Sequence, residues 1–200
     1  YKKSSYMKNK ALHKKLIKKN IIQNISNLKK LSNDKYIANI FKSIELCHNC
    51  ILSGNKIIFC GNGGSAADSQ HLTAEIVSKF LKKRRPLPAI SLTTNTSTIT
   101  SIGNDFSFDY IFSKQVEAIG NKNDLLFAIS TSGTSKNIIN VIKSAKKIGI
   151  KIILLTGNKI LNKSLADLII STPAKRVDRI QELHILIGHT ICEILEKELC

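Results

Sequence analysis

Sixteen residues, CGNGGSAADSQHLTAE at 60–75, constrain this chain more than any other stretch. The apolar run 56–60 reads as a short buried strand and 65–81 as a helix, so Gly61, Asn62, Gly63 and Gly64 form a strand-to-helix turn. Glycine lets a backbone approach a ligand closely. The start of a helix adds unpaired amides at the positive end of its dipole, so such a turn binds anions. His71 and Glu75, four residues apart on that helix, share one face. An imidazole beside a carboxylate, just past a phosphate cradle, points to proton-transfer or metal chemistry on a phosphorylated small molecule.

The surrounding pattern sets the fold class. Strands are read at 56–60, 88–92, 125–130, 151–155 and 168–171, with helices between them and a long helix over 176–199. This predicts an α/β fold: a five-stranded parallel sheet flanked by helices in a flavodoxin-like three-layer sandwich, with ligands at the carboxyl ends of the strands. Two helices precede the first strand. One carries Leu12, Leu16, Ile17, Ile21, Ile25 and Leu28 at helical spacing and ends near 32, and the second ends at Ser53, Gly54 and Asn55. Their apolar faces need covering, and a second subunit is one way to do it. Residues 1–35 are therefore read as a basic helical extension and 36–200 as the domain proper. Residues 1–10 read as frayed, with Met7 a possible native start.

The formal net charge is +17, yet its distribution argues against nucleic acid as the partner. Eleven lysines against the single acid Asp34 in residues 1–35 account for ten of those charges, with no base-reading motif and little aromatic interleaving. With no eighteen-residue apolar run and no secretory signal, no membrane partner is expected and the expected compartment is the cytoplasm. Five scattered cysteines do not form a disulfide framework; Cys47 and Cys50 satisfy C-x-x-C but lie in a helical pattern with no second pair.

A second loop, Ser130-Thr131-Ser132-Gly133-Thr134-Ser135, leaves the third strand and enters a helix, where hydroxyls and free amides suit phosphate oxygens. Gly61, Gly63 and Ala66 also fit the dinucleotide-binding spacing. That reading needs an acid at the end of the second strand to hold the ribose, and this strand ends Ser91-Leu92-Thr93-Thr94-Asn95. The last helix carries Gln181, His184 and His189. Gln181 and His189 stand about 80° apart around its axis, so both line one edge.

Together, CGNGGSAADSQH-x-x-x-E, Ile102-Gly103-Asn104-Asp105-Phe106 read as a turn, Ile129-Ser130-Thr131-Ser132-Gly133 and RIQE-x-H-x-x-x-G-H resemble the phosphoheptose isomerases of the sugar isomerase (SIS) domain family, over residues 36–199. The resemblance implies a homotetramer that converts sedoheptulose 7-phosphate to D-glycero-D-manno-heptose 7-phosphate for lipopolysaccharide core or another surface polysaccharide. It implies zinc held by His71, Glu75, Gln181 and His189, with no organic cofactor. Substrate contacts would be Asn62, Gly63, Gly64, Glu75, Asn104, Asp105, Ser130, Thr131, Ser132, Ser135 and Gln181. Aldose-ketose isomerisation needs a base and an acid, roles that fall to Glu75 and His189, with Asp105 and Asp178 as orienting groups.

One departure is the stretch 156–162, where the family has a glycine-rich loop. The alternative is a non-enzymatic SIS-domain relative that binds the replication initiator and lacks the acid-base residues at the positions of Glu75 and His189. Both are retained here. Gln181 and His189 are also about 12 Å apart along one axis, against metal bonds of about 2 Å. That predicts a site completed by a neighbouring subunit.

Overall fold

Strands buried on both faces of a helix-covered parallel sheet read as unbroken apolar runs, as 57–60, 125–129 and 152–155 do here. The computed structural model describes residues 9–158 and 162–200. Its strands are β1 (Ile57–Gly61), β2 (Ala89–Ser91), β3 (Leu125–Ser130), β4 (Lys151–Thr156) and β5 (Leu168–Ser171). They form one sheet in the order β2-β1-β3-β4-β5, every pair parallel. Its helices are α1 (Lys10–Leu31), α2 (Asp34–Leu52), α3 (Gly64–Val77), α4 (Thr96–Asp105), α5 (Ser113–Ile119), α6 (Lys136–Ile148) and α7 (Val177–Leu199). The 35/36 limit expected between extension and domain falls in the first turn of α2.

Strand side chains alternate between two cores. Ile57 and Phe59 of β1 with Leu125, Phe127 and Ile129 of β3 face α2, α3 and α7. Ile58 and Cys60 with Leu126 and Ala128 face α4, α5 and α6. Each Ile, Leu or Phe among them taken fully from water contributes roughly 1.5–3 kcal/mol. The result is the expected three-layer sandwich.

Two local readings change. The helix expected over 65–81 ends at Val77, because the following amides and carbonyls are taken up by side chains from elsewhere. Gly103, Asn104 and Asp105, read as part of a turn, belong to the last turn of α4, whose start is capped where Asn95 Oδ1 accepts from the Thr98 amide at 3.0 Å. The cysteines are all free thiols, four of them buried. The fraying expected over 1–10, with Met7, falls largely outside the described residues, as do positions 159–161 of the loop that departs from the family pattern. No described helix is long and apolar enough to cross a membrane.

α1 buries little of itself. Leu12, Leu16, Ile17, Ile21, Ile22, Ile25 and Leu28 are 38% to 61% exposed, and Arg176 at the start of α7 reaches it through the Asn20 side chain at 3.3 Å.

Candidate active site

The order in which strands are added reverses between β1 and β3, although all run parallel, and in sheets of this order ligands bind outside the strand ends at that point. Gly61 pairs with Ile129, so the glycine turn after β1 and the hydroxyl loop after β3 leave the sheet side by side. At Gly63 the backbone takes φ +55°, ψ −120°, which an L side chain resists, and the next residue opens α3. Gly64 is needed for space. A β-carbon there would lie 2.3 Å from Gln181 Nε2, so α7 lays this amide directly on the first residue of α3.

The two loops are tied together. Asn62 donates to Asn137 Oδ1 at 2.9 Å, and Asn137 donates back to Asn62 Oδ1 at 2.8 Å, with Asn137 buried in the first turn of α6. Ser130 Oγ accepts from the Gly133 amide at 3.1 Å and Ser132 Oγ from the Thr134 amide at 3.2 Å. Both hydroxyls keep their own proton to donate. Ser135 stands at the cap of α6 with no cap bond from its side chain, and Thr131 is partly exposed.

Beyond the turn, α3 and α7 run parallel in almost constant register: Gly64 meets Gln181, His71 meets His189 and Phe80 meets Glu196. His71 Nε2 is 3.0 Å from Glu75 Oε1 and 3.4 Å from His189 Nε2. The ligating atoms of His71, Glu75 and His189 all lie within 4.8 Å of one another. Donors bonded to zinc at about 2.1 Å in a tetrahedron are about 3.4 Å apart, and two imidazoles with a carboxylate are a usual donor set. These three residues therefore fit a divalent metal, and one chain supplies all three. They remain reachable, the His71 and Glu75 side chains being 48% and 23% exposed. One turn before His71, burial pushes the Asp68 carboxyl up to about 6 against the lowering influence of His71.

The other expected residues lie elsewhere. Gln181 rests at the turn, seven residues of α3 ahead of His71, about 10 Å of axis. Asn104 and Asp105 are exposed at the end of α4, the amide donating to the carboxylate at 2.8 Å. Asp178 is engaged by Arg176 and Arg179 and accepts from the Arg179 amide at 2.9 Å, contacts that hold its carboxyl below the ordinary range. Gln181 and His189 stay apart on α7, as their spacing requires, while Glu75 and His189 meet within one chain because α3 provides two donors and α7 the third.

Sequence reasoning missed Asn137, Phe80, Arg84 and Glu196. The Phe80 ring lies on His189, with centroids 5.6 Å apart. The run Lys82-Lys83-Arg84-Arg85 was visible as charge, but nothing local marks Arg84 as its buried member.

Comparison with known proteins agrees with this geometry. The SIS domain profile matches residues 21–157, so fold and site together define a sugar isomerase domain protein. The chain is 50% identical over 170 residues to the phosphoheptose isomerase of Clostridium acetobutylicum, covering 84% of this chain and 87% of that one. It superposes on phosphoheptose isomerases from Neisseria gonorrhoeae (TM-score 0.84, 36% identity, 92% of this chain and 98% of that one) and Francisella tularensis (TM-score 0.86, 35% identity, 94% and 98%). The chain belongs to the phosphoheptose isomerase family and is an isomerase.

Proposed function

We propose that the protein converts sedoheptulose 7-phosphate to D-glycero-D-manno-heptose 7-phosphate through an enediol. The observation that carries this reading is the placement of His71, Glu75 and His189 on two parallel helices, just beyond two loops suited to a phosphate. The phosphate is assigned to Asn62, Gly63, Gly64, Ser130, Thr131, Ser132 and Ser135, where free amides and hydroxyl donors face a doubly charged group. Glu75 has one oxygen against His71 and a second to take the proton next to the carbonyl. His189 delivers a proton to the carbonyl oxygen, giving the enediol. It then takes the proton from the hydroxyl on the adjacent carbon while Glu75 returns its proton to the former carbonyl carbon, which leaves the aldehyde. Asn104, Asp105 and Gln181 are assigned to the sugar hydroxyls. A divalent ion held by His71, Glu75 and His189, zinc by the nature of the donors, supplies Lewis acidity toward the carbonyl and enediol oxygens when bound.

The uncovered apolar stripe of α1 supports assembly with other copies of the chain, a tetramer being the proposed form. Working in the cytoplasm, it would feed heptose to a surface polysaccharide. Retention of both Glu75 and His189 favours the enzyme over a replication-initiator-binding relative.

The test is incubation with sedoheptulose 7-phosphate and identification of the product by NMR, alongside Glu75→Gln. The variant should fold and lose on the order of 10²- to 10⁴-fold in rate, the usual contribution of a general base. A wild-type protein without turnover, or a variant near wild-type rate, refutes the assignment.

A further inference from the structure

An arginine near a sugar-phosphate site is ordinarily read as a phosphate contact. Arg84 is not available for that. Its side chain is 3% exposed, and its guanidinium is spent on the protein itself. Nη2 donates to the backbone oxygen of Glu75 at 2.6 Å. Nη1 donates to Ile76 O at 2.8 Å, Ser78 O at 2.9 Å and Arg85 O at 3.1 Å. These include carbonyls that the end of α3 leaves without an intrahelical partner, so Arg84 closes the helix that carries His71 and Glu75.

Its Nε donates to Glu196 Oε1 at 3.0 Å, and Glu196 is equally buried. The Glu196 carboxylate also accepts from the amides of Phe80 at 2.9 Å, Leu81 at 2.7 Å and Lys82 at 3.0 Å. Burial alone would raise this carboxyl; the three amides and Arg84 outweigh it and hold the group below its ordinary range. Glu196 stands seven residues, about two turns of α7, after His189. The segment it grips includes Phe80, whose ring lies on His189.

We propose that Arg84 and Glu196 are positioning residues of the isomerase: as a buried ion pair they clamp the segment 78–85 between α3 and α7, and so hold Glu75 and His189 at their working separation. A role in stability alone does not call for this placement. The acceptors of Arg84 include the backbone of the base itself, and the donors to Glu196 include the backbone of the residue that packs on the acid. The pair is neutral as a unit, so it acts on the site through geometry rather than through a net field. The phosphate loops lie at the other end of α3. Loss of the clamp is therefore expected in kcat and in metal affinity, and not in phosphate recognition.

This proposal rests on the acid-base reading above, so its test includes measurements that do not depend on turnover. Breaking a buried pair from one side leaves an uncompensated charge, whereas replacing both partners with apolar residues of similar size is often tolerated. The informative proteins are Arg84→Met, Glu196→Gln and the double variant Arg84→Met/Glu196→Leu, each prepared as the full chain. In the double variant the melting temperature recovers toward wild type, while kcat remains down by on the order of 10- to 100-fold, as expected when reacting groups are displaced by about 1 Å. KM for the sugar phosphate changes less than about threefold, the split expected when groups acting in the transition state are misplaced. Amide exchange at residues 80–82 accelerates, and cobalt(II) used as a probe binds at least about tenfold more weakly with an altered visible spectrum, as for loss of outer-shell support. A stable double variant with wild-type kcat and cobalt(II) affinity overturns the proposal. If the wild-type protein lacks isomerase activity, the functional reading fails, and the exchange and cobalt(II) measurements still decide whether the clamp holds the cluster.

Discussion

Gly188 precedes His189 on α7 and faces Leu72 of α3. A β-carbon at Gly188 would lie 2.6 Å from both Leu72 Cδ1 and Cδ2, and Leu72 is 1% exposed, with a small void beside it lined by Phe59, Ile76, Phe127 and Ile191. Carbon atoms settle at about 3.5–4.0 Å, so Gly188→Ala must push the helices apart by about 1 Å or turn Leu72 out of its present rotamer toward that void. Overpacking of this kind costs about 1–3 kcal/mol. Replacing glycine by alanine inside a helix returns about 1 kcal/mol, which leaves a net loss of about 0–2 kcal/mol. At this chain length that lowers the melting temperature by at most about 8 °C. The effect on catalysis is larger, because the same displacement opens the 3.4 Å separation of His189 and His71. A 1 Å error at reacting groups costs up to about 10²-fold. Steady-state kinetics and thermal unfolding on the same preparation separate the two effects, and Gly188→Ala/Leu72→Val should recover activity by restoring room. A folded Gly188→Ala with wild-type kcat would refute the idea that this contact sets the spacing of the site.

Sugar phosphates should raise the melting temperature of the wild-type protein and nicotinamide dinucleotides should not, since ligand binding to the folded state alone is stabilising; Ser132→Ala should shrink the sugar-phosphate shift while leaving the unliganded melting temperature in place. Asn137→Ala strands the Asn62 amide, at a cost of about 1–3 kcal/mol, and should raise the sugar-phosphate KM more than it lowers kcat. Unchanged KM in that variant would mean that the Asn62–Asn137 pair does not shape the phosphate turn.

The parts of this molecule legible in its sequence are those decided locally. Apolar runs announced the strands, most plainly β1, β3 and β4, whose two faces are both covered, and glycines and hydroxyls marked the two loops at the switch point. What escaped depends on distant partners. α3 stops at Val77 because Glu196, more than 110 residues later in sequence, holds the amides of Phe80, Leu81 and Lys82. Asn137 looked like an ordinary first-turn residue, and its partner Asn62 is 75 positions away. Spacing along α7 showed that Gln181 and His189 would not share one ion, but not which donors would join His189. The missing fact was the register of α3 against it, which brings His71 and Glu75 to His189 and leaves Gln181 over Gly64.

His184 offers a test of the interior that is independent of the active-site assignment. It is fully buried on α7, and neither ring nitrogen makes a full hydrogen bond among the described residues. Burial pushes its pKa down to about 4 from 6.5, and the nearby Thr156 backbone opposes this only in part. Between those values the unfolded chain takes up a proton that the folded chain refuses. Stability from this group is therefore complete above pH 6.5, falls as pH drops toward 4, and changes no further below that. A difference of about 2.5 units corresponds to on the order of 3 kcal/mol. Asp68 acts in the opposite sense: its raised pKa lets the folded state bind a proton first, which stabilises on acidification between 6 and 3.8, by an amount reduced by its partial exposure. The two effects separate by comparing wild type with His184→Leu, which removes the imidazole and keeps Asp68. Urea unfolding at fixed protein concentration from pH 7.5 to 4.5 should show wild type losing stability relative to His184→Leu by about 2–3 kcal/mol, nearly all of it below pH 6.5. A difference that stays flat across that range would mean that His184 takes up its proton at the same pH in the folded as in the unfolded chain, against the effect of its burial.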